Sequence, residues 1–227
     1  FAVQDFPKVA FTKRKSYIYN YQHNKKMKRN RKTAAVLAGF IMMALMMVSC
    51  NESNSYRELT KQEIQSAFLT VRGYHTGKMV YLKNIGNYQT KTDTVDISWT
   101  IDTDSTLTIH NFAVEPFAEF ITDNELKEAL LQQPYQDVKC KIHFVGLSPV
   151  LFYVGVDAPA YNITYGGQSH KVQLAFYGNA NSCGVYDVPT QRMEIHLVGG
   201  GIYEDGTYKE KYLSTTNIPM LLFAPNK

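Results

Sequence analysis

The chain has 227 residues, 44% of them hydrophobic and 19% charged, which is enough for one large packed domain and too apolar for wholesale disorder. Its formal charge of +4 is unevenly spread: residues 1–49 hold ten Lys/Arg against one acid, Asp5, and the rest holds fourteen against nineteen. The folded part is therefore mildly acidic. A broad basic face that would release counterions from phosphates is excluded, and nucleic acid is not an expected partner.

Residues 1–26 carry no clear periodicity and precede Met27, the expected start, so they are read as a non-native extension and set aside. Lys25, Lys26, Lys28, Arg29, Arg31 and Lys32 then form a dense positive cluster, followed by the uncharged run Thr33 to Ser49. Positive charge ahead of an apolar segment is the pattern of a secretory signal over residues 27–49, because the charge stays cytoplasmic while the segment enters the bilayer. The run ends in Met47-Val48-Ser49-Cys50, with a small residue before the cysteine and the polar segment Asn51-Glu-Ser-Asn-Ser55 after it. An uncleaved membrane helix with an incidental cysteine is the competing reading.

Residues 56–227 are expected to form a single β-rich domain. It opens with a helix: Thr60 and Glu63 make a capping box, and Ile64, Ala67, Phe68 and Val71 recur on one face. Gly73 suits the residue that ends such a helix. A second helix is expected from Thr122 with Glu125, burying Leu126, Ala129 and Leu130 and stopping before Pro134. Elsewhere the pattern alternates with period two. Val95, Ile97, Trp99 and Ile101 share one face; Leu107 and Ile109 follow; then come Val138, Cys140, Ile142 and Phe144, and later Val172, Leu174 and Phe176. Such alternation marks antiparallel strands with one face on a core. Asp102-Thr-Asp-Ser105 and Gly166-Gly167 fall between alternating runs, where hairpin turns belong. Gly199-Gly-Gly201 lacks the Lys-Ser/Thr of a phosphate loop and is read as a turn or bulge. The expected architecture is mainly β: an antiparallel sandwich or up-and-down barrel of about eight to ten strands with two short helices.

No catalytic motif is found, and no cofactor is expected. His75, His110, His143, His170 and His196 lack the spacing of zinc ligands and read as solvated surface, so no metal site is expected. Cys140 lies on the apolar face of its strand; it is either a buried small hydrophobe or the disulfide partner of Cys183. Tyrosine is abundant, with sixteen in the chain. Tyr153, Tyr161, Tyr165 and Tyr177, with Tyr203, Tyr208 and Tyr212, offer an aromatic platform for a sugar or a partner, or simply populate strands. Trp99 falls on an apolar face and is expected in the core.

The leader, the Met47–Cys50 sequence and the polar tether of residues 50–55 resemble those of the small envelope lipoproteins of the Bacteroidetes. That resemblance implies that the Cys50 thiol is diacylated, that the signal is cut before it, and that several acyl chains hold the protein at a membrane, at about 0.8 kcal/mol per buried CH₂. The outer membrane is the implied address, on its periplasmic or surface face. It also implies O-glycosylation at Asp-Ser/Thr motifs, which Asp93-Thr94-Val95 and Asp104-Ser105-Thr106 match at Thr94 and Ser105. Three functions stay open: a non-enzymatic module binding a small apolar ligand, a glycan or an envelope protein; an assembly subunit of an envelope complex; and a hydrolase.

Overall fold

The computed structural model describes residues 57–85 and 89–224, and the chain divides at Tyr56/Arg57. Eleven strands follow the first helix: β1 (Gly73–Asn84), β2 (Thr90–Thr103), β3 (Thr106–Phe112), β4 (Gln136–Leu147), β5 (Val150–Val156), β6 (Ala160–Tyr165), β7 (Gln168–Tyr177), β8 (Cys183–Asp187), β9 (Arg192–Glu204), β10 (Thr207–Tyr208) and β11 (Ile218–Ala224). Eight of them close into an antiparallel barrel in the order β11-β1-β2-β3-β4-β5-β8-β9, because β9 pairs back onto β11 from Ile218↔Gly199 to Ala224↔Met193. Closure leaves the barrel strands no open edge, and it decides between the two expected all-β architectures. Only the first half of β9 belongs to the barrel wall. Its second half leaves the wall to pair with β7 and β10, with the β6–β7 hairpin outermost.

The alternation expected from the sequence is the alternation observed. Ile97, Trp99 and Ile101 of β2, Leu107 and Ile109 of β3, and Val138, Cys140, Ile142 and Phe144 of β4 are all buried. An eight-stranded barrel has a lumen just wide enough for side chains to fill, and here Trp99, Met79, Phe144, Phe152 and Ile195 occupy it. Phe144 and Phe152 meet edge to face, with ring centres 5.5 Å apart.

The two ends are closed differently. α1 (Lys61–Val71) lies at the end where β1 begins and buries Ala67 and Val71. Its capping box is the expected one: Thr60 Oγ1 accepts from Glu63 N–H, and the Glu63 carboxylate accepts from Thr60 N–H at 2.8 Å. The opposite end carries α2 (Glu115–Ala118), α3 (Asn124–Leu131), the β6–β7 hairpin and β10. α3 is the second expected helix, but its cap is Asp123, which accepts from the Glu125 and Leu126 amides. Thr122 instead donates to the Lys211 carbonyl at 2.6 Å, tying the loop to a 3₁₀ turn at Glu210–Tyr212. The short α2 gave no sequence signal. Its Phe117 is fully buried, edge-on to Phe176 at 5.3 Å and directly against Gly199, where a Cβ would lie 2.6 Å from the ring. The Gly199-Gly-Gly201 segment is thus a bulge inside β9, opposite Ala175/Phe176. The turn follows it at Asp205-Gly206, where both residues have positive φ.

Candidate functional site

The elaborated end holds a buried polar network. On the inner face of β6, β7 and β9, Glu204 is the buried carboxylate among the described residues, 7% exposed. It accepts from the Tyr212 hydroxyl at 2.9 Å and pairs with the Lys209 ammonium at 2.7 Å. Beside it the His170 Nδ1–H donates to Asp205 at 2.8 Å, and the other Asp205 oxygen accepts from the Lys171 amide at 2.9 Å. The His170 bond, then the amide, holds the Asp205 carboxyl below its usual range. Burial and the bond to Glu204 push the Tyr212 phenol up to about 12. Tyr165 closes the group, its hydroxyl 3.2 Å from that of Tyr212 and its ring 4.9 Å from His170.

No metal cluster is legible in the sequence, yet the fold brings ligand atoms of His170, Glu204 and Asp205 within 4.8 Å of one another. Lys209 already supplies the positive charge that Glu204 requires, so these three residues could hold a divalent cation only with that ammonium displaced. As it stands, the network is satisfied by its own members.

The outer face of the same strands is different. Tyr177, Tyr203 and Tyr208 are exposed by 43, 39 and 44%. The Tyr177 ring lies over Gly200 and the Tyr208 ring over Gly201, and Tyr203 meets Tyr208 with ring centres 5.4 Å apart. Glycines at the bulge let the rings lie against bare backbone; a Cβ at Gly201 would fall 2.5 Å from Tyr208. The result is an aromatic surface of three partly exposed tyrosines.

A third constellation sits on the outer wall of the barrel. Thr100 Oγ1 lies 2.8 Å from His110 Nε2, and His110 Nδ1 lies 2.9 Å from Asp137, which also accepts from the Asn111 amide at 3.0 Å. The connectivity is that of a nucleophile, a base and an orienting acid. Its setting is an open sheet face where Thr100 is paired in the β1–β2–β3 ladder and the Asp137 side chain is 56% exposed. Water is not kept from it, and the bonds act as cross-links that fix the registers of β2, β3 and β4.

The structure redistributes the residues singled out in the sequence. The Cys140–Cys183 bridge is not formed: both thiols are free. Cys140 points into the barrel opposite Leu107 and Val156, whereas Cys183 sits on the outer face between Tyr153 and His196, two strands away. Of the expected tyrosine platform, only Tyr177 joins Tyr203 and Tyr208. Tyr161 is buried, Tyr165 and Tyr212 belong to the Glu204 network, and Tyr153 lies apart on the outer face of β5. Several histidines are not plain solvated surface. His75 stacks on Trp99 at 5.7 Å, His196 is 8% exposed and bonded to Glu194 at 3.4 Å, and His110 and His170 each hold an aspartate. Thr94 and Ser105 are both exposed, Ser105 at the β2–β3 turn. Cys50, the signal segment and the tether lie outside the described residues, and no described helix is long and apolar enough to cross a membrane.

No curated protein and no solved structure matches the chain. A family model matches residues 70–204, from the last turn of α1 to the end of β9, and so takes in Thr100, His110, Asp137, Tyr177, Gly199–Gly201, Tyr203 and Glu204. On that match, the chain belongs to the family described as "Domain of unknown function (DUF4840)".

Proposed function

We propose that the protein is a lipid-anchored envelope protein, held through Cys50, whose barrel is a non-enzymatic binding module. The observation that carries the binding role is the surface of Tyr177, Tyr203 and Tyr208. Three partly exposed phenols on a sheet offer contact area at little entropic cost, and a tyrosine brings a hydroxyl that can hydrogen-bond as well as an apolar ring. Such a surface suits a glycan or a protein segment better than an apolar ligand, which would need an enclosed cavity. The lumen, where an apolar ligand would sit, is filled by Trp99, Met79 and the phenylalanines. Two features support a non-enzymatic role: the Glu204 network is internally satisfied, and the Thr100–His110–Asp137 chain lies on an outer sheet face with the Asp137 side chain more than half exposed.

The test is capture of envelope glycans and proteins by the detergent-extracted protein, beside a variant carrying Tyr177→Ser, Tyr203→Ser and Tyr208→Ser. Capture by the parent and its loss in the variant support the reading. Equal capture by both removes the tyrosine surface from it. Stoichiometric co-purification of one membrane complex with both proteins would favour an assembly subunit instead.

A further inference from the structure

The end of β9 places two carboxylates side by side, and the pairing of β7 with β9 sets a histidine against them. Glu204 faces inward, in register with Val172. Asp205, with φ at 50°, turns back toward β7. There its amide donates to the Lys171 carbonyl, and its Oδ1 accepts from the Lys171 amide, both at 2.9 Å. The second oxygen, Oδ2, is left to His170. The His170 Nδ1 stands 2.8 Å from that oxygen and 4.0 Å from Glu204 Oε2, and ligand atoms of all three residues lie within 4.8 Å of one another.

A small cation can span those separations. Imidazole nitrogen and carboxylate oxygen bind zinc at about 2.0–2.2 Å, so ligands in a tetrahedral set lie roughly 3–3.5 Å apart. The two His170 distances bracket that spacing. Partners that orient metal ligands are also in place: the Tyr212 hydroxyl donates to Glu204 Oε2, and the Lys171 amide fixes Asp205. Asp205 is exposed and Glu204 buried, which gives an ion an entry side and an inner anchor.

The charges fit a divalent ion. Two carboxylates share one ammonium, that of Lys209, which pairs with Glu204 Oε1 at 2.7 Å. The Lys209 side chain is partly exposed, and its backbone is held separately by the bond from its amide to the Ile202 carbonyl. The ammonium can therefore swing to water without unzipping the turn, leaving two negative charges for a divalent cation to neutralise. We propose that His170, Glu204 and Asp205 form a site for a divalent first-row transition ion of the zinc type, with Lys209 as its built-in competitor. His170 coordinates through Nδ1 and carries its proton on Nε2. One nitrogen and two oxygens suit zinc better than calcium, which takes about six to eight oxygens. This goes beyond the binding-module reading and does not rest on it, since the tyrosine surface lies on the opposite face of the same strands.

The experiment is calorimetric titration of the full-length, detergent-solubilised protein with zinc chloride at neutral pH. Calcium and magnesium chloride serve as parallel probes at constant ionic strength. Saturable zinc binding by the parent protein is expected, weakened roughly tenfold or more in His170→Gln and in Asp205→Asn. Lys209→Met, which removes the competing ammonium, should bind zinc more tightly; a merely structural role for the network would not produce a gain. Zinc should also raise the thermal midpoint of the parent and leave that of His170→Gln unmoved. Each variant is checked for an unchanged circular dichroism spectrum. Absence of zinc binding by the parent overturns the proposal, as does binding unaltered in both ligand variants. Weaker binding by Lys209→Met overturns the competitor role, and calcium or magnesium binding in place of zinc overturns the ion class.

Discussion

The indole N–H of Trp99 on β2 points at Met193 Sδ on β9, 3.3 Å away across the lumen. Ninety-four residues of chain separate them, and the contact joins two walls of the barrel that share no ladder. Trp99 is fully buried, so its nitrogen has this sulfur or nothing. Trp99→Ala is predicted to cost about 3–5 kcal/mol, as large-to-small changes of buried aromatics do. Met193→Leu keeps the volume but orphans the N–H and is predicted to cost about 1–3 kcal/mol. Urea titration measures both, and a neutral Met193→Leu would show that the sulfur contact adds nothing.

Gly77 of β1 lies directly against the β11 backbone. A Cβ there would lie 2.0 Å from the Phe223 carbonyl oxygen, a backbone atom that cannot rotate away. Gly77→Ala must therefore push the two strands apart at the barrel seam. The predicted cost is about 1–3 kcal/mol or more, in line with overpacked sites, read as a lowered urea midpoint. Hydrogen exchange should speed up in β1 and β11 before β4 and β5.

The start of α1 should be acid-labile. The Thr60 amide, then Arg57, holds the Glu63 carboxyl down at about 2, against 4.5 when unperturbed. A depressed carboxylate stabilises the fold above its unfolded value and loses that contribution as pH falls through the folded one. Protection of the α1 amides is thus predicted to hold above about pH 4.5 and to fall between there and pH 2. Glu63→Gln should remove that step, and an α1 whose exchange ignores pH across the window contradicts the capping account.

The cysteines of the barrel, Cys140 buried and Cys183 half-buried, should behave as unreactive thiols. Burial pushes Cys140 up to about 12 and raises Cys183 as well, so little thiolate exists at neutral pH. Iodoacetamide is predicted to leave both unmodified in the native protein and to label both in urea without prior reduction. A disulfide-linked peptide containing Cys140 and Cys183 would contradict this arrangement.

The antiparallel, half-buried strands were readable from the sequence because one physical signal governs them. Residues such as Val138, Cys140, Ile142 and Phe144 alternate strictly, and a half-buried strand tolerates no slip of register. Closure itself was not readable, since it depends on β9 meeting β11 rather than on either strand alone. The candidate surfaces were legible only in part, for the same reason. Tyr177 and Tyr203 share an outer face because the Gly199–Gly201 bulge changes the parity of β9, and alternation carries no sign of a bulge in a partner strand. His170 and Asp205 lie far apart in sequence and meet through the pairing of β7 with β9, which the alternation of neither strand announces. The Thr122 cap was misplaced by one residue because Asp123 caps equally well, and only the tertiary bond from Thr122 to Lys211 selects between them.

The anchor at Cys50 underlies the proposed function, and intact mass spectrometry of the protein extracted from cell envelopes tests it most directly. The account predicts a chain that begins at Cys50 and carries acyl chains on that residue, together with a Cys50→Ala variant that retains residues 27–49 unprocessed. An unacylated Cys50 in a chain still bearing the apolar segment would contradict it and leave the barrel attached through an uncleaved membrane helix.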